Sequence, residues 1–315
     1  MSASFVEMPE DRRVRRLAHP GRKVSIVLDT DTYNEIDDQF AMIYALCSPE
    51  SLELEAVHAA PFHNNMSEGP ADGMEKSYRE ILKIRSLAGM ETLPVYRGSA
   101  AYMPGPDAPV ESEAARDLIR RALARGEDDP LYVVAIGAIT NVASALLLEP
   151  ALADRIVLVW LGGHAFHWQD TREFNLEQDL HATRVVLDSG VPLVLLPCMG
   201  VVSHLTTTLS ELRDHVKDKG PLGQYLYETY LGCMDDHAGR SRVIWDLSAI
   251  AWLVRPDWCP SELAPSPLVS DDCRWLEADG RHSIRYVTYV DRDAIFRDLF
   301  AKLDVRARAE RNDGV

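Results

Sequence analysis

Short apolar runs and longer stretches of helical period alternate along most of this chain. The first run, Val24 to Leu28, is rich in β-branched residues and has the length of a buried strand. After a polar turn, Phe40, Ala41, Ile43, Tyr44, Ala45 and Leu46 read as a helix that begins near Asp37-Asp38. A second strand is expected at Leu54–Ala60. It is followed by a helix over Ala71–Ala88, with Met74, Tyr78, Ile81, Leu82 and Ile84 as its apolar stripe, and by a short strand at Pro94–Tyr96. The pattern then repeats: helix Glu111–Arg125, strand Leu131–Gly137, helix Thr140–Leu148, strand Arg155–Leu161, a helix ending near Asp188 and a strand at Val191–Pro197. Further helices are expected at Leu209–Val216, Leu222–Leu231 and Leu247–Leu253. Arg274–Val287 reads as a hairpin around Asp279-Gly280, and Asp293–Leu303 as a closing helix.

Strand–helix alternation over the first two thirds predicts an α/β fold: an open, mostly parallel central sheet with helices on both faces and right-handed crossovers. No linker-like segment divides the chain. A single domain is therefore expected over 23–304, with an N-terminal extension at 1–22 and a polar, frayed tail at 305–315.

Composition narrows the function class. The chain has 315 residues, 46% hydrophobic and 26% charged, enough to bury a sizeable core. Its net charge of −16 is a poor match for nucleic acid or an anionic membrane and suits an enzyme of small molecules. No apolar stretch approaches the roughly 20 residues of a membrane span, and the charged N-terminus has no apolar centre of the kind a signal peptide needs. Cys47, Cys198, Cys233, Cys259 and Cys273 are odd in number and dispersed, so reduced thiols and a cytoplasmic location are expected.

Four carboxylates, Asp29, Asp31, Asp37 and Asp38, fall between the end of the first strand and the first turn of the next helix. In open α/β sheets ligands bind at that place. Asp37 and Asp38 alone could be ordinary helix-start acids, favoured there by the helix dipole. With Asp29 and Asp31 they form a cluster whose repulsion calls for protons or a cation, and a hard, oxygen-seeking metal is the natural partner.

Val24–Thr32 fits the apolar-run Asp-x-Asp-x-Thr pattern of haloacid-dehalogenase-like phosphatases, in which Asp29 would be a covalent nucleophile. That pattern is short, and the nearest late acidic pair, Asp271-Asp272, lies in a Cys/Ser-rich turn rather than after a strand. A second resemblance covers far more of the chain. Asp29-Thr30-Asp31 with Asp37-Asp38 resembles the acidic signature of the inosine-uridine preferring nucleoside hydrolases. Gly137-Ala138-Ile139-Thr140-Asn141, Leu161-Gly162-Gly163, Glu173-Phe174-Asn175-Leu176-Glu177-Gln178-Asp179 and the late Asp246 are similar to that family's further motifs, in the same order.

The resemblance implies a calcium-dependent hydrolase that cleaves the N-glycosidic bond of a ribonucleoside, or a related N-riboside, to ribose and free base. Asp31, Asp38, Asp246 and the carbonyl of Ile136 would hold the Ca2+, with the ribose diol and a water completing its oxygen shell. Asp31 would also be the general base on that water. Asp37 would bind the 2′-hydroxyl, Asn175 a ribose hydroxyl and Glu173 the 5′-hydroxyl, while Asn64, or else Asn65, matches an asparagine after the second strand. Family members are commonly homodimers or homotetramers. Asp179, Thr140 and Asn141 read as structural, and Cys198 as a buried apolar filler.

Two departures stand out. Five residues, Thr32–Ile36, separate Asp31 from the Asp pair, where the family usually has three. Trp245 precedes Asp246 where studied members carry the histidine that protonates the departing base. Another acid would then serve, with His237 as first candidate and Asp236, Tyr230, His164 and His167 beside it, or the base is activated by stacking on Trp245. A chain without its leaving-group acid could also be a non-catalytic ribose or nucleoside binder.

Overall fold

Parallel strand pairing organises the computed structural model, which describes Phe5 and residues 8–313. Six strands come first in the chain: β1 Val24–Thr30, β2 Leu52–Ala59, β3 Val95–Arg97, β4 Leu131–Ala135, β5 Ile156–Leu161 and β6 Leu193–Leu196. They lie parallel in the order β3-β2-β1-β4-β5-β6. The chain runs outward from β1 to β3, returns to the other side of β1 and runs outward again from β4. β1 and β4 thus flank the point where strand order reverses, and the crevice beyond their C-terminal ends is the natural ligand site.

Both sheet faces are covered, which is why the strands read as near-continuous apolar runs. Ile26, Leu28, Tyr132, Val134, Val157 and Val159 face one core layer, packed with Phe40, Ile81, Leu226, Ile250 and Phe296 from helices. Val27, Val133, Ala135, Leu158 and Trp160 face the other, packed with Leu118, Val142 and Ala182. The helix Asp37–Leu46 is buried on every side. It carries the acids from the end of β1 into the interior, against the helix Leu247–Val254.

The C-terminal third differs from the sequence expectation. Arg274–Val287 is not a hairpin. Trp275–Leu276 pairs antiparallel with Leu268–Val269. Ser283–Val287 instead extends the main sheet, parallel to β6 and antiparallel to an outermost strand, Ser261–Pro265. The Asp279-Gly280 turn exists, with Gly280 at φ 74°. However, Ser283–Val287 pairs over its whole length with Ser261–Pro265 and adds Arg285 and Tyr286 to the open β6 edge, more than the two-residue strand before it could offer. The outermost strand has exposed positions and ends in proline, so it lacks the apolar run that marks an inner strand.

The closing helix also extends further than expected, over Arg292–Asp313. Ala307 is buried, and Arg306–Glu310 and Arg308–Asp304 pair at helical spacing, so the polar segment stays helical where fraying was expected. Residues 314–315 of the expected tail lie outside the described residues. Within 1–22, residues 1–4, 6 and 7 lie outside them as well. Glu10–Leu17 forms a helix that packs on the Ser283–Val287 strand, with Leu17 fully buried. Among the described residues no helix is long and apolar enough to cross a membrane.

Candidate active site

A cavity of about 270 Å³ opens at the switch point. Asp31, Asn34, Glu35, Asp37 and Asp38 line it from the segment after β1, and Ile136 from the end of β4. Leu161, His164, Arg172, Glu173, Phe174 and Asn175 line it from the segment after β5, Cys198 and Met199 from after β6, and Trp245 and Asp246 from before the last core helix. The cavity thus gathers the carboxyl ends of four parallel strands.

Asp37, Asp38 and Asp246 bring carboxylate oxygens within 4.8 Å of one another, and all three are buried. Asp246 sits at the N-cap of its helix, but its side chain makes no capping hydrogen bond and turns to the other acids instead. Asp31 is 1% exposed, and neither of its carboxylate oxygens has a hydrogen-bond partner. Burial, and then the charges of Asp38 and Asp37, push the Asp31 carboxyl well above its usual range. Burial and neighbouring acids raise Asp37 and Asp246 in the same way. Burial lifts Asp38 to about 7, with the hydroxyl of Thr30 donating to its Oδ1 in partial compensation. A pocket of buried, mutually repelling carboxylates, with both Asp31 oxygens unpartnered, fits a hard divalent cation with oxygen ligands. Asp37 belongs to the tightest trio, where the sequence reading had put Asp31.

Asp29, the fourth acid of the signature, does not line the cavity. Its Oδ2 accepts from Asn141 Nδ2 at 2.9 Å, and burial raises it to about 7. Asn141 also accepts from the Ser99 backbone N–H and hydroxyl. Asp179 caps the helix Leu180–Asp188 and accepts from Thr140 Oγ1 at 2.7 Å. Asn141, Asp179 and Thr140 hold the walls, and Asp29, which the sequence groups with the acids that call for a cation, is held behind them by Asn141.

Glu173 and Asn175 do reach the cavity. The Glu173 carboxylate accepts backbone N–H groups of Gly163, Asn175 and Leu176, so it also fastens its own loop to the end of β5. Burial raises it to about 7 even so. Asn175 donates from Nδ2 to the Leu161 carbonyl at 3.1 Å, which fixes its amide plane. Trp245 is half-buried in the wall beside Asp246. Asn64 stands behind the lining: its Nδ2 donates to Asn34 Oδ1 at 2.6 Å, and its Oδ1 accepts from Met66 N. Asn65 is exposed. Asn64 therefore holds the lengthened loop after β1 through Asn34, which lines the cavity where Asn64 does not.

The structure does not bring His237 to the cavity. Its ring stacks on Tyr230, and its Nε2 lies 3.0 Å from the Leu231 carbonyl. Tyr230 spends its hydroxyl on the Thr207 carbonyl, Asp236 accepts from Ala238 N, and His167 is exposed beside Gly200. Of these candidate acids only His164 lines the cavity. Arg172 and Met199 are lining residues that sequence reasoning missed, since neither belongs to a motif. The Glu35–Arg242 ion pair at 2.8 Å, which ties the lengthened loop to the segment before Trp245, was also invisible without the fold.

Comparison with known proteins agrees with this geometry. The pyrimidine-specific ribonucleoside hydrolase RihA of Klebsiella pneumoniae (strain 342) is 29% identical over 252 residues, covering 70% of this chain and 77% of that protein. Among solved structures, a purine-preferring ribonucleoside hydrolase from Gardnerella vaginalis superposes with a TM-score of 0.74 at 21% identity, over 90% of this chain and 99% of the other. A plant nucleoside hydrolase superposes with a TM-score of 0.73 at 20% identity, over 89% and 99%. These two structures share the fold. The family model for inosine-uridine preferring nucleoside hydrolases matches residues 26–297, a span that holds every carboxylate of the cavity, and the chain belongs to that family as a ribonucleoside N-ribohydrolase.

Proposed function

We propose that this chain hydrolyses the N-glycosidic bond of ribonucleosides with the help of calcium held by Asp31, Asp37, Asp38 and Asp246. The observation that carries this reading is the set of four buried acids, with both Asp31 oxygens unpaired, at the switch point of the sheet. A bound calcium ion supplies the positive charge that lowers the cost of ionising water and of binding a ribose diol. Asp31, free of protein partners, takes the proton of the attacking water. Asp37, with Asn175, holds ribose hydroxyls, and Glu173 faces the 5′ end. The carboxylates stabilise the oxocarbenium-like sugar as the C1′–N bond breaks. Holding the sugar and the water in one cavity supplies orientation.

Trp245 offers an aromatic face to the departing base. The relatives' names include one pyrimidine-specific and one purine-preferring enzyme, so what they share is the ribose end of the substrate. That is the end the acids serve. Five free thiols, four of them buried, suit a reducing compartment such as the cytoplasm.

The test is a panel of purine and pyrimidine ribosides incubated with the protein and calcium, with free ribose assayed. Ribose release from at least one supports the reading. Binding without release from any favours a ribose or nucleoside binder. Phosphate release from phosphorylated sugars, with an acyl-phosphate on Asp29, would favour the phosphatase chemistry instead.

A further inference from the structure

Among the described residues, His164 alone of the histidines lines the cavity, and its backbone and ring are both fastened. It follows Gly163, whose φ of 70° turns the chain into the cavity wall. A side chain on Gly163 would collide with Trp275 and Thr171 at 2.5 and 2.6 Å. The His164 backbone is fixed at both ends: its N–H donates to Thr171 Oγ1 at 2.9 Å, and its carbonyl accepts from Trp275 Nε1 at 2.8 Å. The ring is fixed as well, because Nδ1 accepts the backbone N–H of Met199 at 3.3 Å. A backbone N–H can only donate, so Nδ1 carries no proton and the neutral ring carries its proton on Nε2. Nε2 makes no well-formed hydrogen bond within the protein among the described residues and is not sealed from solvent, although the backbone of Gly163 and Arg172 lies beside the ring.

We propose that His164 is the residue that compensates for Trp245 at the usual histidine position: its Nε2–H, in a tautomer set by Met199, donates a hydrogen bond to the leaving base. The inference rests on the hydrolase reading above. In the step it serves, the C1′–N bond breaks with its electron pair going to the base, and the water oxygen forms a bond to C1′. One water proton passes to Asp31 and the other stays on the new anomeric hydroxyl. The base, steadied by the His164 hydrogen bond, takes its proton from solvent, and Asp31 returns its own to solvent. His164 ends as it began, so it polarises the leaving group without being consumed as an acid.

The test compares His164→Asn and His164→Gln on a nucleoside and on p-nitrophenyl riboside, whose phenolate leaves without help. Asparagine keeps an acceptor for Met199 N and loses the donor at the Nε2 position, whereas glutamine restores a donor there. On the nucleoside, His164→Asn is expected to lower kcat by roughly 10- to 100-fold with KM nearly unchanged, the signature of a contact made in the transition state. It is expected to slow the aryl riboside less than about 3-fold, and His164→Gln to recover most of the nucleoside rate. A retained calcium-induced rise in Tm would show that the variants are folded. Equal slowing of both substrates, or an unchanged nucleoside rate, would overturn the role of His164. Wild-type protein that releases ribose from neither substrate would overturn the hydrolase reading itself, and the role with it.

Discussion

The carboxylate of Asp31 packs against Gly137: a Cβ there would stand 3.0 Å from Asp31 Oδ1 and 3.1 Å from its Cγ, so the carboxylate would have to give way by a few tenths of an ångström. The glycine after β4 thus shapes the position of the proposed base at the end of β1. Gly137→Ala should displace Asp31 while leaving the sheet intact. The expected result is a kcat/KM lower by roughly 10- to 100-fold with an unaltered circular dichroism spectrum. Wild-type activity in that variant would show that the Asp31 position is not critical.

Calcium should stabilise the folded chain, since only the folded state assembles Asp31, Asp37, Asp38 and Asp246. At a hundredfold excess over the dissociation constant the gain is about 2.7 kcal/mol. Thermal unfolding with EDTA and with calcium measures it. Asp246→Asn is expected to abolish the calcium-dependent rise in Tm, and a rise of wild-type size in that variant would remove Asp246 from the ligand set.

Asn64 acts through Asn34. Losing the 2.6 Å hydrogen bond between them should free the lengthened loop after β1. Asn64→Ala is expected to raise KM by roughly 5-fold, the equivalent of one hydrogen bond, with kcat within about 2-fold of wild type. Steady-state kinetics separate the two, and a fall in kcat at constant KM would mean that Asn64 touches the chemistry.

A buried ion pair on the helix Glu113–Leu123, Asp117 with Arg121, sets an acid limit. Burial alone would raise the Asp117 carboxyl, but hydrogen bonds from His58 and Arg121 outweigh it and bring it down to about 2 from an ordinary 3.8. A depressed acid stabilises the fold above its unfolded pKa, and that stability is lost as pH falls through the folded value. The window is therefore about pH 4 down to about pH 2, and the contribution is on the order of 2 kcal/mol. Denaturant unfolding across that range should show Asp117→Asn less stable than wild type at neutral pH, with the gap narrowing in acid. A pH-independent gap would mean that Asp117 contributes through packing alone.

The first two thirds of the fold were legible because parallel inner strands must be apolar on both faces and helices must carry an apolar stripe, and both leave periods in the sequence. The outermost strand Ser261–Pro265 leaves none, so Ser283–Val287 was paired in the reading with its nearest sequence neighbour instead of with β6. In the site, Asp37 and Asp38 had an ordinary helix-start reading on their own and became legible as a cluster only with Asp31 before them, whereas Asp246, far along the chain, was legible only through the family resemblance. The bond from Asn64 to Asn34 was not legible, because an amide that braces a loop and one that meets a sugar look alike in sequence. Choosing His164 over His237 needed the Met199 N–H and the Trp275 indole, which come from segments far apart in the chain.

Ribose release from a nucleoside by wild-type protein, and by Asp31→Asn under the same conditions, each with EDTA and after calcium is restored, tests the central claim most directly. The wild type should release ribose only with calcium, and Asp31→Asn should be slower by roughly 100-fold or more with its calcium-dependent Tm rise at least partly kept. Undiminished release in EDTA, or an Asp31→Asn variant as fast as wild type, would contradict it.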